Sequence, residues 1–357
     1  MCSVDLRVHG GPQEAELDAL GIDYAEVLDF SVSTNAYGPC REMLDAVRAA
    51  PLGRYPDSTS ADARRALGDF LDVSPDEVVL GNGAAELLWS LARILLPPGR
   101  RALVVEPTFG EFRAACVAQG TPVSEWRAAE DRGFAIHLDA VGETARREGA
   151  EVVYLCAPNT PTGVCLPARE IAEWAAANPR LALVLDQSFL TLSDRHADIA
   201  TPMPANVVRV RSLTKDHAIP GVRVGYAITS EDVARRIDAH RPAWTVSATA
   251  QAAAVAACKL SDFVAHSRRA LLEDRQELRA VLERAGLRPQ ESSTVFLLAR
   301  VGNAKALRDR LLQRDGILIR DCASFGLPEF IRVAARPAAD RVALARALAH
   351  TAEQETG

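Results

Sequence analysis

Lysine is nearly absent from this 357-residue chain: of its 41 lysine and arginine residues only Lys215, Lys259 and Lys305 are lysine. Surface charge is carried by arginine, so a retained lysine points to chemistry that arginine cannot do. A desolvated amine can lose its proton and attack a carbonyl, whereas a guanidinium stays charged. Other absences exclude whole classes. The net charge of −6 shows no basic excess, which argues against a nucleic-acid partner. No apolar run reaches the roughly 18 residues of a membrane span, and the first residues lack a signal-peptide pattern. The seven cysteines form no CxxC pair and the seven histidines no HExxH pair. Reduced thiols, no metal site and a cytoplasmic location are therefore expected.

What is present is an ordinary globular composition, 48% hydrophobic and 25% charged. Typical domain sizes suggest about two domains. From Glu77 onward, short β-branched runs alternate with helical stretches: Glu77–Leu80, Ala102–Val105, Glu151–Leu155, Leu181–Leu185 and Val207–Val210. Continuous apolar strands separated by helices predict an α/β fold with a mostly parallel sheet covered on both faces. Past about residue 245 the chain becomes helical and alanine-rich. It then changes to strand-like Val295–Val301, a helix Asn303–Gln313, strand-like Ile317–Arg320 and Phe330–Ala334, and a final helix. The expected division is an N-terminal segment 1–35 near the active site, a large domain 36–244 and a smaller α+β domain 245–357.

In parallel sheets ligands bind beyond the carboxyl ends of the strands, so the residues just past each strand are informative. The first strand leads to Gly81-Asn-Gly-Ala-Ala-Glu86 and a helix, a start that leaves backbone N–H groups free for an anion. The second leads to Pro107-Thr-Phe109, the third to Ala157-Pro-Asn-Thr-Pro-Thr-Gly163, and the fourth to Asp186-Gln-Ser-Phe189. An acid at a buried strand end calls for a cationic partner. The fifth delivers Ser212-Leu-Thr-Lys215, with Arg223 a little further on. A hydroxyl and a guanidinium beside an imine-forming amine suggest a phosphorylated aldehyde, pyridoxal phosphate. Ser212-Leu-Thr-Lys215 also matches the SxxK of acyl-transfer enzymes, but the Ser-Asp-Asn and Lys-Thr-Gly partners of that motif are missing.

Taken in order, GNGAAEL, PTF, PNTPTG, DQSF, SLTK and the trailing Arg223 resemble the fold-type-I pyridoxal-phosphate enzymes of the aminotransferase class I/II superfamily. The resemblance covers essentially the whole chain. It implies a large domain with a mostly parallel sheet and a smaller C-terminal α+β domain. Lys215 would carry the cofactor as an imine and then move protons, and Asp186 would pair with the ring nitrogen. Phe109 would stack on the ring, while Ala84, Ala85, Ser212 and Arg223 would hold its phosphate. Tyr55, in Arg-Tyr-Pro-Asp, would reach the cofactor phosphate of a neighbouring subunit, which implies a homodimer sharing its active sites. Two positions depart from the superfamily. Thr160 replaces the asparagine that usually bonds the cofactor's phenolic oxygen, leaving Asn159 one residue early, and Phe189 replaces a tyrosine. Fewer donors there imply that the imine holds its proton to higher pH.

Within the superfamily two relatives compete. Histidinol-phosphate aminotransferases share Arg-Tyr-Pro-Asp, the Asn-x-Tyr-Gly-Pro turn and Phe-Ile-Arg-Val. Threonine-phosphate decarboxylases of the corrinoid (cobalamin) pathway resemble more stretches: His9–Gly11, Leu28–Ser31, Gly81–Leu87, Pro107–Glu111, Asp186–Phe189, Thr214–Gly221, Ile319–Cys322 and Arg332–Arg336. That resemblance implies that His9, Asn35, Arg320 and Arg332 bind the phosphate and carboxylate of a small substrate. It puts decarboxylation slightly ahead of transamination. Asp216-His217 departs from the pattern of an apolar or aromatic pair after the lysine.

Overall fold

The computed structural model describes residues 9–355, and side chains only as far as residue 350. Leu28–Asp29 (β1) precedes the large sheet, whose strands are β2 (Val78–Gly81), β3 (Ala102–Glu106), β4 (Val123–Arg127), β5 (Val152–Cys156), β6 (Ala182–Asp186), β7 (Val207–Ser212) and β8 (Gly225–Ile228). Their spatial order is β2-β8-β7-β6-β5-β3-β4. Only β8 runs against its neighbours, pairing antiparallel with β2 and β7, while β7, β6, β5, β3 and β4 are mutually parallel.

Period-two alternation divides each strand between two cores. Val104, Tyr154, Val184 and Val208 pack under the helices Gly83–Leu95 and Glu111–Ala118. Leu103, Val153, Leu155 and Leu183 pack on the other face with Val141, Ile171 and Trp174. Each such fully buried aliphatic side chain contributes about 1.5–3 kcal/mol. Two strands of the large sheet lie outside the expected apolar runs. β4 is a half-exposed edge reading Val-Ser-Glu-Trp-Arg, and β8 begins at Gly225, where a Cβ would meet Ala84 N at 2.7 Å. The polar edge and the glycine hide both from a search for apolar runs.

The second sheet is antiparallel: β9 (Arg288–Pro289), β10 (Phe296–Arg300), β12 (Arg320–Cys322) and β13 (Leu327–Ala334), in the order β12-β13-β10-β9. The expected strand Ile317–Arg320 is divided. Ile317–Leu318 (β11) pairs in parallel with β1, and only from Arg320 does the chain join β13. The N-terminal segment is thereby stitched to this sheet, with Phe30 N donating to Leu318 O and Ala334 N to Phe30 O. The alanine-rich stretch is two helices, Ala248–Ala257 and Ser261–Arg284. The first packs Ala250, Ala253 and Ala254 against Met43, Leu67, Leu80 and Tyr226 beside the large sheet, whereas Leu278 and Leu282 of the second join the core of the antiparallel sheet. Among the described residues no helix is long and apolar enough to cross a membrane.

Candidate active site

A cavity of about 290 Å³ opens where the carboxyl ends of the parallel strands face the antiparallel sheet. Of the residues singled out from sequence, Ala84, Ala85, Phe109, Thr160, Asp186, Ser212, Lys215, Arg223, His9, Arg320 and Arg332 all line it.

Lys215 lies on the four-residue turn Leu213–Asp216 that comes after β7, and its Nζ is 4.9 Å from the Phe189 ring centroid. Burial lowers the pKa of its amine, an effect opposed by the nearby carboxylates of Asp186 and Asp216. Asp186 ends β6 with both oxygens engaged: Oδ1 accepts from Ser188 N at 2.9 Å and Oδ2 from the Tyr154 hydroxyl at 3.0 Å. Tyr154, fully buried on β5 and stacked on Phe112, was not found from sequence. It reads there as one more apolar residue of the strand, and only the register of β5 against β6 brings it to Asp186. Burial and the charge of Asp186 push the phenol's pKa well up, which keeps it a donor.

The anion cradle comes from the turn after β2. Gly83 sits at φ +79°, and a Cβ there would lie 2.4 Å from Arg223 Nη2, so glycine lets the guanidinium lie against the start of the helix. Ser212 Oγ and Thr214 Oγ1 are 2.7 Å apart and face the same space. Backbone N–H groups at a helix start, two hydroxyls and a guanidinium form a phosphate-binding set. With Asp186, Phe109 and Lys215 on the same cavity, the residues fit pyridoxal phosphate.

The opposite wall is cationic. Arg320 and Arg332 are directly paired across β12 and β13, which puts both side chains on one face of the sheet. Arg332 donates from Nη1 to Thr160 Oγ1 at 2.6 Å and from Nη2 to the Ser31 carbonyl at 2.7 Å, both neutral groups. Its buried Nε has no partner. Burial pushes its pKa down to about 10. Arg320 donates to Ser324 Oγ at 2.6 Å and also lines an outer groove of about 550 Å³ that adjoins the cavity through His9, Gly10, Ser31 and Ser324. His9 Nε2 lies 2.6 Å from Glu111 Oε1, and its ring is 5.4 Å from that of Phe109. Glu111, held also by Trp89 Nε1 at 2.5 Å, is a second site neighbour; it closes the Pro107–Glu111 stretch, but no role for it was legible in sequence.

Three expected residues do not line the cavity. Asn159 is buried, with its amide accepting from Thr108 Oγ1 and donating to the Pro107 carbonyl and Thr162 Oγ1; it shapes the loop and leaves Thr160 facing inward. Asn35 donates from Nδ2 to the Asp216 carbonyl at 2.9 Å, and its N–H to the Lys215 carbonyl, so it holds the lysine turn from behind. Tyr55 is 77% exposed and stacks on Trp244 at 4.6 Å. His217, next to Asp216, is buried against Phe263 as a packing residue.

The family model for aminotransferase class I and II matches residues 25–350. The chain belongs to that family. It is therefore a pyridoxal-phosphate-dependent enzyme with the type I fold. The histidinol-phosphate aminotransferase of Symbiobacterium thermophilum is 31% identical over 332 residues, 91% of this chain and 90% of that protein. The crystal structure of histidinol-phosphate aminotransferase from Sinorhizobium meliloti in complex with pyridoxal-5'-phosphate superposes with a TM-score of 0.87 at 26% identity, covering 99% of this chain and 98% of that one. The L-threonine-O-3-phosphate decarboxylase of Porphyromonas gingivalis superposes with a TM-score of 0.76 at 26% identity, over 91% of this chain and 99% of that one. The six described cysteines are free; Cys2 lies outside the described residues.

Proposed function

We propose that the protein is an aminotransferase acting on a small amine that carries a phosphate, of the histidinol-phosphate type, with a 2-oxo acid as amino acceptor. The observation that carries the reading is the Arg320–Arg332 pair: two buried guanidiniums on one face of a sheet, one of them bonded only to neutral groups. Arg320 has the Asp321 carboxylate at 3.9 Å, so the charge that calls for an anion is that of Arg332. The likeness to histidinol-phosphate aminotransferases along nine-tenths of the chain favours amino transfer over the decarboxylation that the motif run suggested.

Bound pyridoxal phosphate supplies an electron sink that makes a bond to the substrate's amine-bearing carbon labile. The chain's own groups do the rest. Ser212, Arg223 and the N–H groups of Ala84 and Ala85 hold the cofactor phosphate, Phe109 covers one ring face, and Asp186 holds a proton on the ring nitrogen. Burial lowers the pKa of the Lys215 amine, which favours the uncharged form a base needs, and its Nζ would take a proton from the substrate carbon and return it. Arg332 and Arg320, the latter on the border of the outer groove, would hold the phosphate of the amine and, in the second half of the reaction, the carboxylates of a 2-oxo acid such as 2-oxoglutarate. The exposure of Tyr55 agrees with a homodimer in which it completes the partner's phosphate site. The chain would divide into an N-terminal segment 1–35, a large domain 36–244 and a small domain 245–357 whose first helix, Ala248–Ala257, packs back on the large domain.

Threonine-phosphate decarboxylation is the second reading, supported by His9, Arg320 and Arg332 meeting at one cavity and by the likeness to the P. gingivalis enzyme. Offering histidinol phosphate, phosphothreonine and phosphoserine, and following keto product and carbon dioxide separately, distinguishes the two. Keto product that requires 2-oxoglutarate supports amino transfer; carbon dioxide without it supports the second reading.

A further inference from the structure

Glu111 is a buried carboxylate for which the proposed reaction has no use. It opens the helix Glu111–Ala118, is 8% exposed, and does not itself line the cavity. A carboxylate is costly to bury unless donors meet it. Two donors come from far away in sequence: Trp89 Nε1 reaches Oε2 at 2.5 Å, and His9 Nε2 lies 2.6 Å from Oε1.

His9 is also placed from its backbone. Gly11 N donates to Ser31 Oγ at 2.7 Å, and that hydroxyl donates to Asp29 Oδ1 at 2.7 Å. A Cβ on Gly10 would stand 2.7 Å from the Ser31 carbonyl oxygen, so the chain beside His9 packs directly against Ser31. The imidazole is thereby held where the cavity passes into the outer groove, and Arg320 lines both spaces with it. With Nε2 on Glu111, Nδ1 is the nitrogen left for a ligand.

The charges say what that ligand is. Arg332 and Arg320 already stand on the opposite wall, the latter with Asp321 at 3.9 Å. An imidazole that donates from Nε2 to a carboxylate and from Nδ1 to a bound anion carries both protons and a positive charge. Paired with Glu111 it is neutral overall, so it adds a donor for the anion without adding net charge beside two guanidiniums. Without that carboxylate, the guanidiniums would oppose a third cation.

We propose that Glu111 is a positioning residue of the substrate site that acts through His9: its carboxylate holds the Nε2 proton, so that the Nδ1 proton is presented to the substrate's phosphate beside Arg320. The inference rests on the reading that the substrate carries a phosphate, and it assigns Glu111 to binding and not to the bond that is broken.

The test is Glu111→Gln in the holoenzyme. Trp89 can only donate, so it keeps the amide oxygen and turns the amide nitrogen toward His9. Nε2 must then accept, which leaves the ring neutral with its proton on Nδ1. NMR of ring-nitrogen-labelled histidine, with the holoenzyme saturated with inorganic phosphate at neutral pH, reads this directly. His9, assigned by its loss in His9→Ala, should be protonated on both nitrogens in wild type and on Nδ1 alone in Glu111→Gln. With histidinol phosphate, KM should rise about tenfold in Glu111→Gln while kcat is kept. His9→Ala should raise KM by a similar factor, and Glu111→Gln should add little to it. Identical protonation of His9 in the two proteins, no response of its ring to phosphate, or fully additive KM effects would each overturn the proposal. If Glu111→Gln fails to fold, the wild-type ring decides alone: an Nε2 without a proton in the phosphate-saturated holoenzyme overturns it. The NMR measurement needs no turnover, so failure of histidinol phosphate to react would count against the proposed reaction and not against this role of Glu111.

Discussion

Replacing Tyr154 by phenylalanine removes one oxygen from the interior of the large sheet. The ring is fully buried and stacked on Phe112 with centroids 5.0 Å apart, a contact that phenylalanine keeps. No cavity larger than a hydroxyl is made. The substitution deletes the donor that reaches Asp186 Oδ2 at 3.0 Å, leaving the carboxylate with the Ser188 N–H alone. A hydrogen bond to a charged acceptor is worth about 1.5–3 kcal/mol, and a buried acceptor cannot recover it from water. The apoprotein should therefore lose about 1.5–3 kcal/mol against urea, with an unchanged m-value. The holoenzyme should lose less, because the ring nitrogen proposed to pair with Asp186 partly replaces the missing donor. Parallel urea titrations of both forms provide the assay. A variant apoprotein within about 0.5 kcal/mol of wild type, well below the range for such a bond, would refute the reasoning that this bond sustains the buried carboxylate.

Gly83→Ala places a Cβ 2.4 Å from Arg223 Nη2 at a φ of +79°, so Arg223 must move out of the phosphate cradle. Pyridoxal phosphate affinity, measured by absorbance titration, should fall at least tenfold. Arg332→Lys keeps the charge but loses the two-pronged donor, and kcat/KM for a phosphorylated substrate should drop by about tenfold to a hundredfold. The pH dependence of stability should show two opposed slopes. Asp216 is raised to about 7 on folding, so the native state binds the extra proton and stability falls as pH rises from about 4 to 7. His217 is lowered to about 4, so stability rises from pH 4 to about 6.5. Each slope is at most about 1.4 kcal/mol per pH unit. Thr191 hydrogen-bonds Asp216, and Lys215, Arg211 and Arg268 are the charged groups that face it. In Asp216→Asn the first slope vanishes, and stability between pH 4 and 6.5 should rise more steeply than in wild type. An unchanged profile would count against the burial of these two groups.

Much of the site was legible because it sits where strand chemistry meets loop chemistry. β3, β5, β6 and β7 are short apolar runs that announce themselves, and the residues just past them need no tertiary information to be ordered in sequence. That is why Phe109, Asp186, Ser212 and Lys215 could be placed on one edge. Tyr154 and Glu111 had no role legible in sequence because their roles exist only across the fold: one through strand register, the other through a histidine 102 positions away. Asn35 and Asn159 do not line the cavity, for a related reason. An amide looks the same in sequence whether it faces a ligand or a backbone carbonyl, and both of these face backbone. β4 and β8 escaped because strand signals weaken where an edge is polar or where glycine admits a close neighbour.

The half-reaction tests the central proposal most directly. Holoenzyme mixed with histidinol phosphate and no acceptor should lose the cofactor's visible absorbance without releasing carbon dioxide, and adding 2-oxoglutarate should restore it with formation of glutamate. Carbon dioxide released from phosphothreonine, with the visible absorbance retained through turnover and no glutamate formed, would contradict the aminotransferase reading.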